Sequence, residues 1–421
     1  MTAARIKDAF VASLIALVLA LPLAGVRTDQ GERGIIFQWH IGDVFWAAAI
    51  VFVGRLVWLF GVDAIKAHKI VSAVSANAKT EGVPGKKILN PNIISSLLIL
   101  AAIIFPFTPL VNRYALDVMT MVMTYIMLAW GLKITVGYTG LLDLGYAGFY
   151  AIGAYSYALL SQHIGIGFWT CLPLAGLIAA GTGLLLGLPV LRLRGDYFAI
   201  VTLGFGEIVR LVLINWESLT GGANGVSDIA RPTLFGLEFA RQAGEGQQTF
   251  NDFFYLTYDP MQRVLFLYYV ALIFALAIGF FTTRLRRLPL GRAWESSRED
   301  EIACASLGIN RTWIKLAAYS LSALIAGLAG AFFAARQGFV SPESFSFKES
   351  ATILAIVILG GVGNPLGIVL AAAFVIGLPE LFRDFEQYRM VAFGLGMVLI
   401  MIWRPGGMMA IREPTVKLPV E

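Results

Sequence analysis

Charged side chains are scarce in this 421-residue chain: Asp, Glu, Lys and Arg make up only 14% of it, against about a quarter in an ordinary soluble domain. A fully water-exposed surface cannot be built from so few. Histidine is nearly absent, with His40, His68 and His163 scattered and no HExxH spacing, which excludes the common helix-borne zinc site. The two cysteines, Cys171 and Cys304, lie far apart with no CxxC or His-Cys grouping, so neither a disulfide framework nor a metal site is expected. A GxxxxGK[ST] phosphate loop is also missing. Its nearest match, GVPGKK at 82–87, has the wrong spacing and no strand-to-helix setting. No serine or cysteine stands in a triad-like arrangement. Catalytic residues, metal ligands and cofactors are therefore not expected in this chain, and any ATP hydrolysis must happen in another one. The net charge of +5 sits in clusters between apolar runs, not along a stripe, which excludes a nucleic-acid partner.

What the chain has in abundance is apolar length. Hydrophobic residues make up 58% of it, and several runs reach the ~18 to 20 residues that cross a hydrocarbon core. The expected fold is all-α: a polytopic transmembrane helical bundle of about ten to twelve spans, because unsatisfied backbone groups are too costly in lipid for open structures. Spans are predicted near 9–26, 43–62, 93–111, 114–136, 141–160, 169–191, 197–214, 263–282 and 313–335, then a broken pair near 350–362 and 364–381, then 388–404. The run 9–26 follows Arg5 and Lys7 and has the look of a signal peptide. With so apolar a chain behind it, an uncleaved first span is the preferred reading.

Lysine and arginine orient the spans. Arg5 and Lys7, the loop holding Lys66, Lys69, Lys79, Lys86 and Lys87, the pair Arg192 and Arg194, and the run Arg284, Arg286, Arg287 and Arg292 all fall on one side if the spans alternate. That side is expected to be the cytoplasm. The tail with Arg404, Arg412 and Lys417 joins it only if the segment around 360–365 makes two passes. Three regions follow: a two-span extension with a lysine-rich cytoplasmic linker at 1–92, a main transmembrane body at 93–407, and a cytoplasmic tail at 408–421. The linker suits either anionic-lipid contact or a partner. The long segment 215–262 falls outside, as a structured connector, a cap or a partner site.

Glycine punctuates the membrane interior. In GYTGLLDLGYAGFYAIGAY, residues 137–155, Gly145, Gly148 and Gly153 recur among tyrosines around a single charge, Asp143. Close helix packing is the first reading of such spacing; a break lining a cavity is the second. The motif GGVGNPLG, with Gly360, Gly361, Gly363 and Pro365, is the stronger break, because proline removes a donor and restricts the residue before it. Asp143, Gly145, Gly148, Gly153, Gly360, Gly361 and Gly363 are the candidate lining of a translocation path. Among ionisable residues inside spans, Glu207 and Arg210 share a helix face and are expected to pair. Asp117 and Lys133 lie nearer span ends, where snorkelling suffices. Asp143 and Glu349 each adjoin a glycine-rich break, as path residues or helix caps.

The decisive stretch is 283–312, TRLRRLPLGRAWESSREDEIACASLGINRT. It is too polar to cross a bilayer, and its acidic start and terminal glycine predict a short amphipathic helix parallel to the membrane. GRAWESSREDEIACASLGIN, the following GLAGAFFAARQGFVSPESFSFKESATILAIVILGGVGNPLG and the closing MIWRPGG resemble the permeases of bacterial ABC importers for branched-chain amino acids. The larger, M-type permease chain is the nearest in pattern. GLLDLGYAGFYAIGAY and LRLRGDYFAIVTLGFGEIVR resemble the same family, so the likeness extends over about residues 115–407. The resemblance implies two paired permease chains, the second a different one, in the bacterial inner membrane. Beneath them it implies two cytoplasmic ATPases that use ATP and Mg, and on the other face a periplasmic substrate-binding protein. It also makes the charged stretch a coupling helix that docks on an ATPase, through Arg298, Glu299, Glu301, Ala303, Ser306, Leu307 and Gly308. The pattern departs from the general EAA loop of such permeases, since Ile302 replaces its first alanine and the glycine comes one residue late. An ion-coupled secondary amino acid transporter with broken helices is the alternative.

Overall fold

The structure is a computed structural model that describes residues 26–31, 34–39, 91–108, 111–191, 193, 195–234, 249–254, 259–361 and 363–381, with a few isolated positions besides. The predicted spans 9–26, 43–62 and 388–404, the linker up to residue 90 and the tail at 408–421 lie outside these residues, apart from single positions. The chain divides into two compact units, 1–90 and 91–421. In the first, strands β1 (Val26–Gly31) and β2 (Gly34–Trp39) form an antiparallel hairpin in which Val26 faces Trp39 and Gly31 faces Gly34. This hairpin falls in the connection between the two predicted N-terminal spans.

The second unit is a helical bundle. Besides single turns of helix at Glu217–Thr220 and Phe250–Phe254, its described α-helices are α1 (Pro91–Ile104), α2 (Arg113–Leu132), α3 (Tyr146–His163), α4 (Phe168–Val190), α5 (Asp196–Asn215), α6 (Pro260–Arg287), α7 (Pro289–Glu299), α8 (Glu301–Ser306), α9 (Arg311–Gln337), α10 (Phe347–Gly360) and α11 (Pro365–Leu381). Among the described residues, five helical stretches are long and apolar enough to cross a membrane: 113–139, α4, α5, α6 and α9. The predicted broken pair is present as α10 and α11, separated by a turn at 361–364 in which Gly361 takes φ +85°. Trp130 donates from Nε1 to the carbonyl of Pro365 at 3.3 Å, tying the start of α11 to α2.

Helix α9 is the central post, packed along α3 and α4 and also touching α2. Its sequence explains its limits. Asn310 Oδ1 accepts from the N–H groups of Thr312 (3.2 Å) and Trp313 (3.3 Å), satisfying two orphan donors, and Gly338 closes the helix in the left-handed region. Small residues let the backbones meet. A Cβ added to Gly327 would lie 2.5 Å from the Ala179 Cβ and 2.9 Å from the Ala175 carbonyl, so α9 and α4 approach as closely as glycine allows. In the segment after α5, residues 226–233 lie across helix ends: Val226 and Val340 exchange backbone hydrogen bonds, Tyr157 donates to the Ala230 carbonyl at 2.8 Å, and Trp169 donates to Thr233 at 3.0 Å. That is the geometry of a structured connector.

Candidate functional site

The charged stretch 283–312 forms two helices where the sequence suggested one. The chain leaves helix α7 at Asp300, with φ −150° and ψ 107°, because its carboxylate turns to accept from the N–H groups of Ile302 (2.8 Å) and Ala303 (3.0 Å). These backbone donors hold the Asp300 carboxyl below the usual aspartate range. A group with a depressed folded pKa stabilises above its unfolded value and loses that contribution as pH falls through the folded one. The Asp300→Ala variant is therefore expected to loosen α8 at neutral pH, seen as faster amide exchange at Ile302 and Ala303. The Asp300→Asn variant should retain the cap. The advantage of the native residue over alanine should vanish in acid, while that of asparagine persists.

Helix α7 is clamped to the bundle. Gly291 allows α7 to fold back on the end of α6, where an added Cβ would come within 2.6 Å of the Arg286 Cα, and Arg286 Nε donates to Glu295 Oε1 at 2.6 Å. Trp294, 1% exposed, donates from Nε1 to the Ile314 carbonyl at 2.7 Å. Its ring stacks on Tyr138, with centroids 6.5 Å apart and planes 7° from parallel. Tyr138 belongs to a π-helical turn, Lys133–Thr139, that ends α2. Arg298 reaches the same turn, donating from Nη1 to the Gly137 carbonyl at 2.5 Å. Such π-turns widen a helix locally and are frequent at functional sites. Lys133, expected to snorkel, is instead 2% exposed with Nζ 5.7 Å from the Tyr138 ring centre. The reason is packing: the π-turn that Lys133 opens lies against both α7 and α9, which cover its side chain.

The seven residues expected to meet an ATPase divide into two groups. Ala303, Ser306, Leu307 and Gly308 are exposed on or just after α8, as is Glu299 at the end of α7. Arg298 is exposed as a whole, but its stem passes Gly140 and its tip is engaged by Gly137. Glu301 turns toward the bundle, pairing with Lys315 and lying 3.9 Å from Arg311. Ile302, which the sequence reading passed over, is 75% exposed, and Leu307 is 80% exposed. Two large apolar side chains thus project from a short polar island. Helical spacing could have found Ile302, since it and Ser306 share a face.

The candidate path residues lie deeper. Asp143 is fully buried and accepts from the Gly145 N–H at 2.9 Å, a local turn at the entry to α3. Thr202 of α5 accepts from Leu144 N–H at 3.1 Å. Glu349, at the start of α10, accepts from the Tyr125 hydroxyl at 2.5 Å, and Ser350 accepts from the Ala147 N–H at 2.9 Å. Helices α3 and α10 thus begin beside one another inside the bundle. Gly145 and Gly148 lie against α5, and Gly153 against Gly327 of α9. Helix backbone, joined at Gly148 by the Phe205 ring, and not open space, faces these three glycines. Gly360 packs on the first turn of α11, 2.6 Å from the Ile368 Cα for an added Cβ, while Gly361 and Gly363 form the turn. Glu207 and Arg210 pair as expected, with Arg210 Nη2 2.5 Å from Glu207 Oε1.

Residues 114–402 match the family described as the permease component of branched-chain amino acid transport systems. The chain belongs to that family. Residues 4–105 match a second family, described only as a domain of unknown function. The high-affinity branched-chain amino acid transport system permease protein LivM of Salmonella typhimurium is 49% identical over 98% of this chain and 97% of its own length. LivM of Escherichia coli K12 is 49% identical over the same shares. The permease protein LivH of Salmonella typhimurium is 24% identical, over 69% of this chain and 92% of its own. No solved structure matches. Membership makes this a multi-pass membrane permease component, not an enzyme. The permease class that the family resemblance implied is the one shown. What sequence reasoning missed was the clamp: Trp294, Tyr138 and Lys133 meet across more than 150 residues of chain, and no local pattern joins them.

Proposed function

We propose that this chain is one of two permease chains of an ATP-driven importer for branched-chain amino acids, working by alternating access in a bacterial inner membrane. The observation that carries it is the island of α7 and α8: its inner side is clamped to the bundle through Trp294 and Arg298, while Ile302 and Leu307 project outward. A short helix pair gripped on one side and apolar on the other has the form of a lever held by a partner. Two cytoplasmic ATPases, using ATP and Mg, would supply that partner, and a periplasmic substrate-binding protein would deliver the solute. LivM and LivH of Salmonella typhimurium are both named permease proteins of a high-affinity system, which favours a second, different permease here.

In this scheme the ATPase contact centres on Ile302, Ala303, Ser306, Leu307 and Gly308, with Glu299 at the edge. Glu301 and Arg298 position the island from within. Motion of α7 would reach the π-turn at 133–139 through Tyr138 and Gly137, and from there the buried Asp143. Asp143 and the turn holding Gly361 and Gly363 would border the solute path; Gly145, Gly148, Gly153 and Gly360 would set the spacing of its walls. Coupling of this kind requires the ATPase to hold the island differently in two states.

The test is to purify the tagged complex from its native membrane, identify its subunits and reconstitute uptake of leucine, isoleucine and valine. A co-purifying Walker-A ATPase and ATP-dependent uptake are expected. Replacing Ile302 and Leu307 together by aspartate should strip the ATPase from the complex while the permease remains in the membrane. Absence of any ATPase, or uptake that follows an ion gradient while ATP is irrelevant, would refute the scheme.

A further inference from the structure

We infer that the face of α5 carrying Ile200, Gly204, Glu207 and Leu211 is the surface on which a second permease chain of the same family packs. The inference rests on the two-permease reading above.

Helix α5 has 20 residues, a length of ~30 Å at 1.5 Å per residue, which is about the thickness of the hydrocarbon core. Glu207 lies close to its midpoint. The spacing of three and four residues from Ile200 through Gly204 and Glu207 to Leu211 places all four on one stripe. That stripe is turned away from the bundle, for Phe198, Ala199 and Thr202 on the opposite side are buried, whereas Tyr197 is 73%, Ile200 64% and Ile208 59% exposed. Of the five spans, α5 is the least covered: only 22% of its most apolar window is buried, against 39% or more in the others.

An exposed apolar helix in a membrane protein needs no partner, because lipid covers it. The ion pair is what lipid cannot cover. Glu207 keeps 40% and Arg210 27% of its side-chain surface open, at the depth where ionisable groups are costly and face protein or water instead. The pair is neutral overall and joined by two hydrogen bonds, from Arg210 Nε at 2.9 Å and Nη2 at 2.5 Å. It therefore asks for a neutral polar surface to cover it, not for a counter-charge. Beside it, Gly204 has open space where a side chain would stand, which lets another helix approach closely at the same level. A helix of a second membrane-embedded permease meets both conditions at this depth. A water-soluble ATPase or binding protein cannot reach it.

The photo-cross-linking residue p-benzoylphenylalanine is placed singly at Ile200, Ile208 and Leu211, with Ile273 and Phe280 as comparison positions on the exposed side of α6. All these side chains are already exposed, so folding should survive. After irradiation of membranes from cells producing the whole system, adducts are identified by mass spectrometry, and ATP-dependent uptake is measured in the same membranes. The expected result is a shift to a two-permease adduct from α5 positions and none from α6. A second copy of this chain or a different permease in that adduct would equally support the face. Lipid adducts alone from α5, or permease adducts from α6 alone, would overturn it. Loss of ATP-dependent uptake in membranes without the cross-linker would count against the transport reading and leave the adduct result to decide this face by itself.

Discussion

The Trp294→Ala variant is expected to lower ATP-driven uptake by at least about tenfold while ATP hydrolysis by the complex continues. Removing a buried tryptophan side chain costs about 3–5 kcal/mol, and here the loss falls on the joint between island and bundle. The indole fills a site 1% exposed, donates to the Ile314 carbonyl and stacks on Tyr138 of the π-turn. Without it, α7 keeps the Arg286–Glu295 ion pair beside the vacated position and the Arg298–Gly137 bond near its C-terminal end, but loses its one buried aromatic anchor. A lever held only by polar side-chain contacts, without its packed ring, transmits less of the ATPase motion. Trp294→Phe retains an aromatic stack and removes the indole donor, a hydrogen bond worth about 0.5–1.5 kcal/mol, while the Ile314 carbonyl keeps its place in the α9 backbone ladder; its uptake should fall between native and alanine. Paired measurements of transport and hydrolysis in reconstituted vesicles distinguish this from mere unfolding, in which both would fall together. Uptake equal to native in the alanine variant would show that the joint carries no motion.

Much of the bundle was legible because its signals are local. Run length marked the spans, and Gly360, Gly361 and Pro365 marked the break between α10 and α11 because glycine and proline act on their own backbone. The Glu207–Arg210 pair follows from helical spacing alone. The features that escaped depend on distant chain. Nothing near Lys133 announces that α7 and α9, more than 150 residues later, cover the π-turn it opens and bury its side chain over Tyr138. Nothing near Glu301 shows that Arg311 and Lys315, one helix later, draw it away from the exposed face and leave Ile302 in its place. The break at Asp300 was available locally, since aspartate is a strong N-cap, but a continuous amphipathic pattern concealed it.

The Gly153→Val variant is expected to yield little folded protein, whereas Gly167→Val should fold as the native chain does. A Cβ at Gly153 would fall on the Gly327 backbone of α9, on its Cα, carbonyl carbon and oxygen. Backbone atoms cannot rotate aside as a side chain can. Nor can α9 retreat, because the far side of Gly327 already meets Ala175, Gly176 and Ala179 of α4. Overpacking a core typically costs about 1–3 kcal/mol; at a three-helix contact with no slack the upper end or more is expected, against the roughly 5–15 kcal/mol total typical of proteins. At Gly167 an added Cβ has nothing within 4 Å. Thermal unfolding of the detergent-purified chain provides the comparison, with Gly153→Ala as an intermediate step. The outcome also separates two roles that uptake alone would confuse. A glycine that only lines a solute path would change flux when replaced by alanine and leave the unfolding midpoint where it was. A glycine that sets the α3–α9 distance must lower the midpoint first. If Gly153→Val melts with Gly167→Val, the close approach of α3 and α9 is not what holds this part of the bundle.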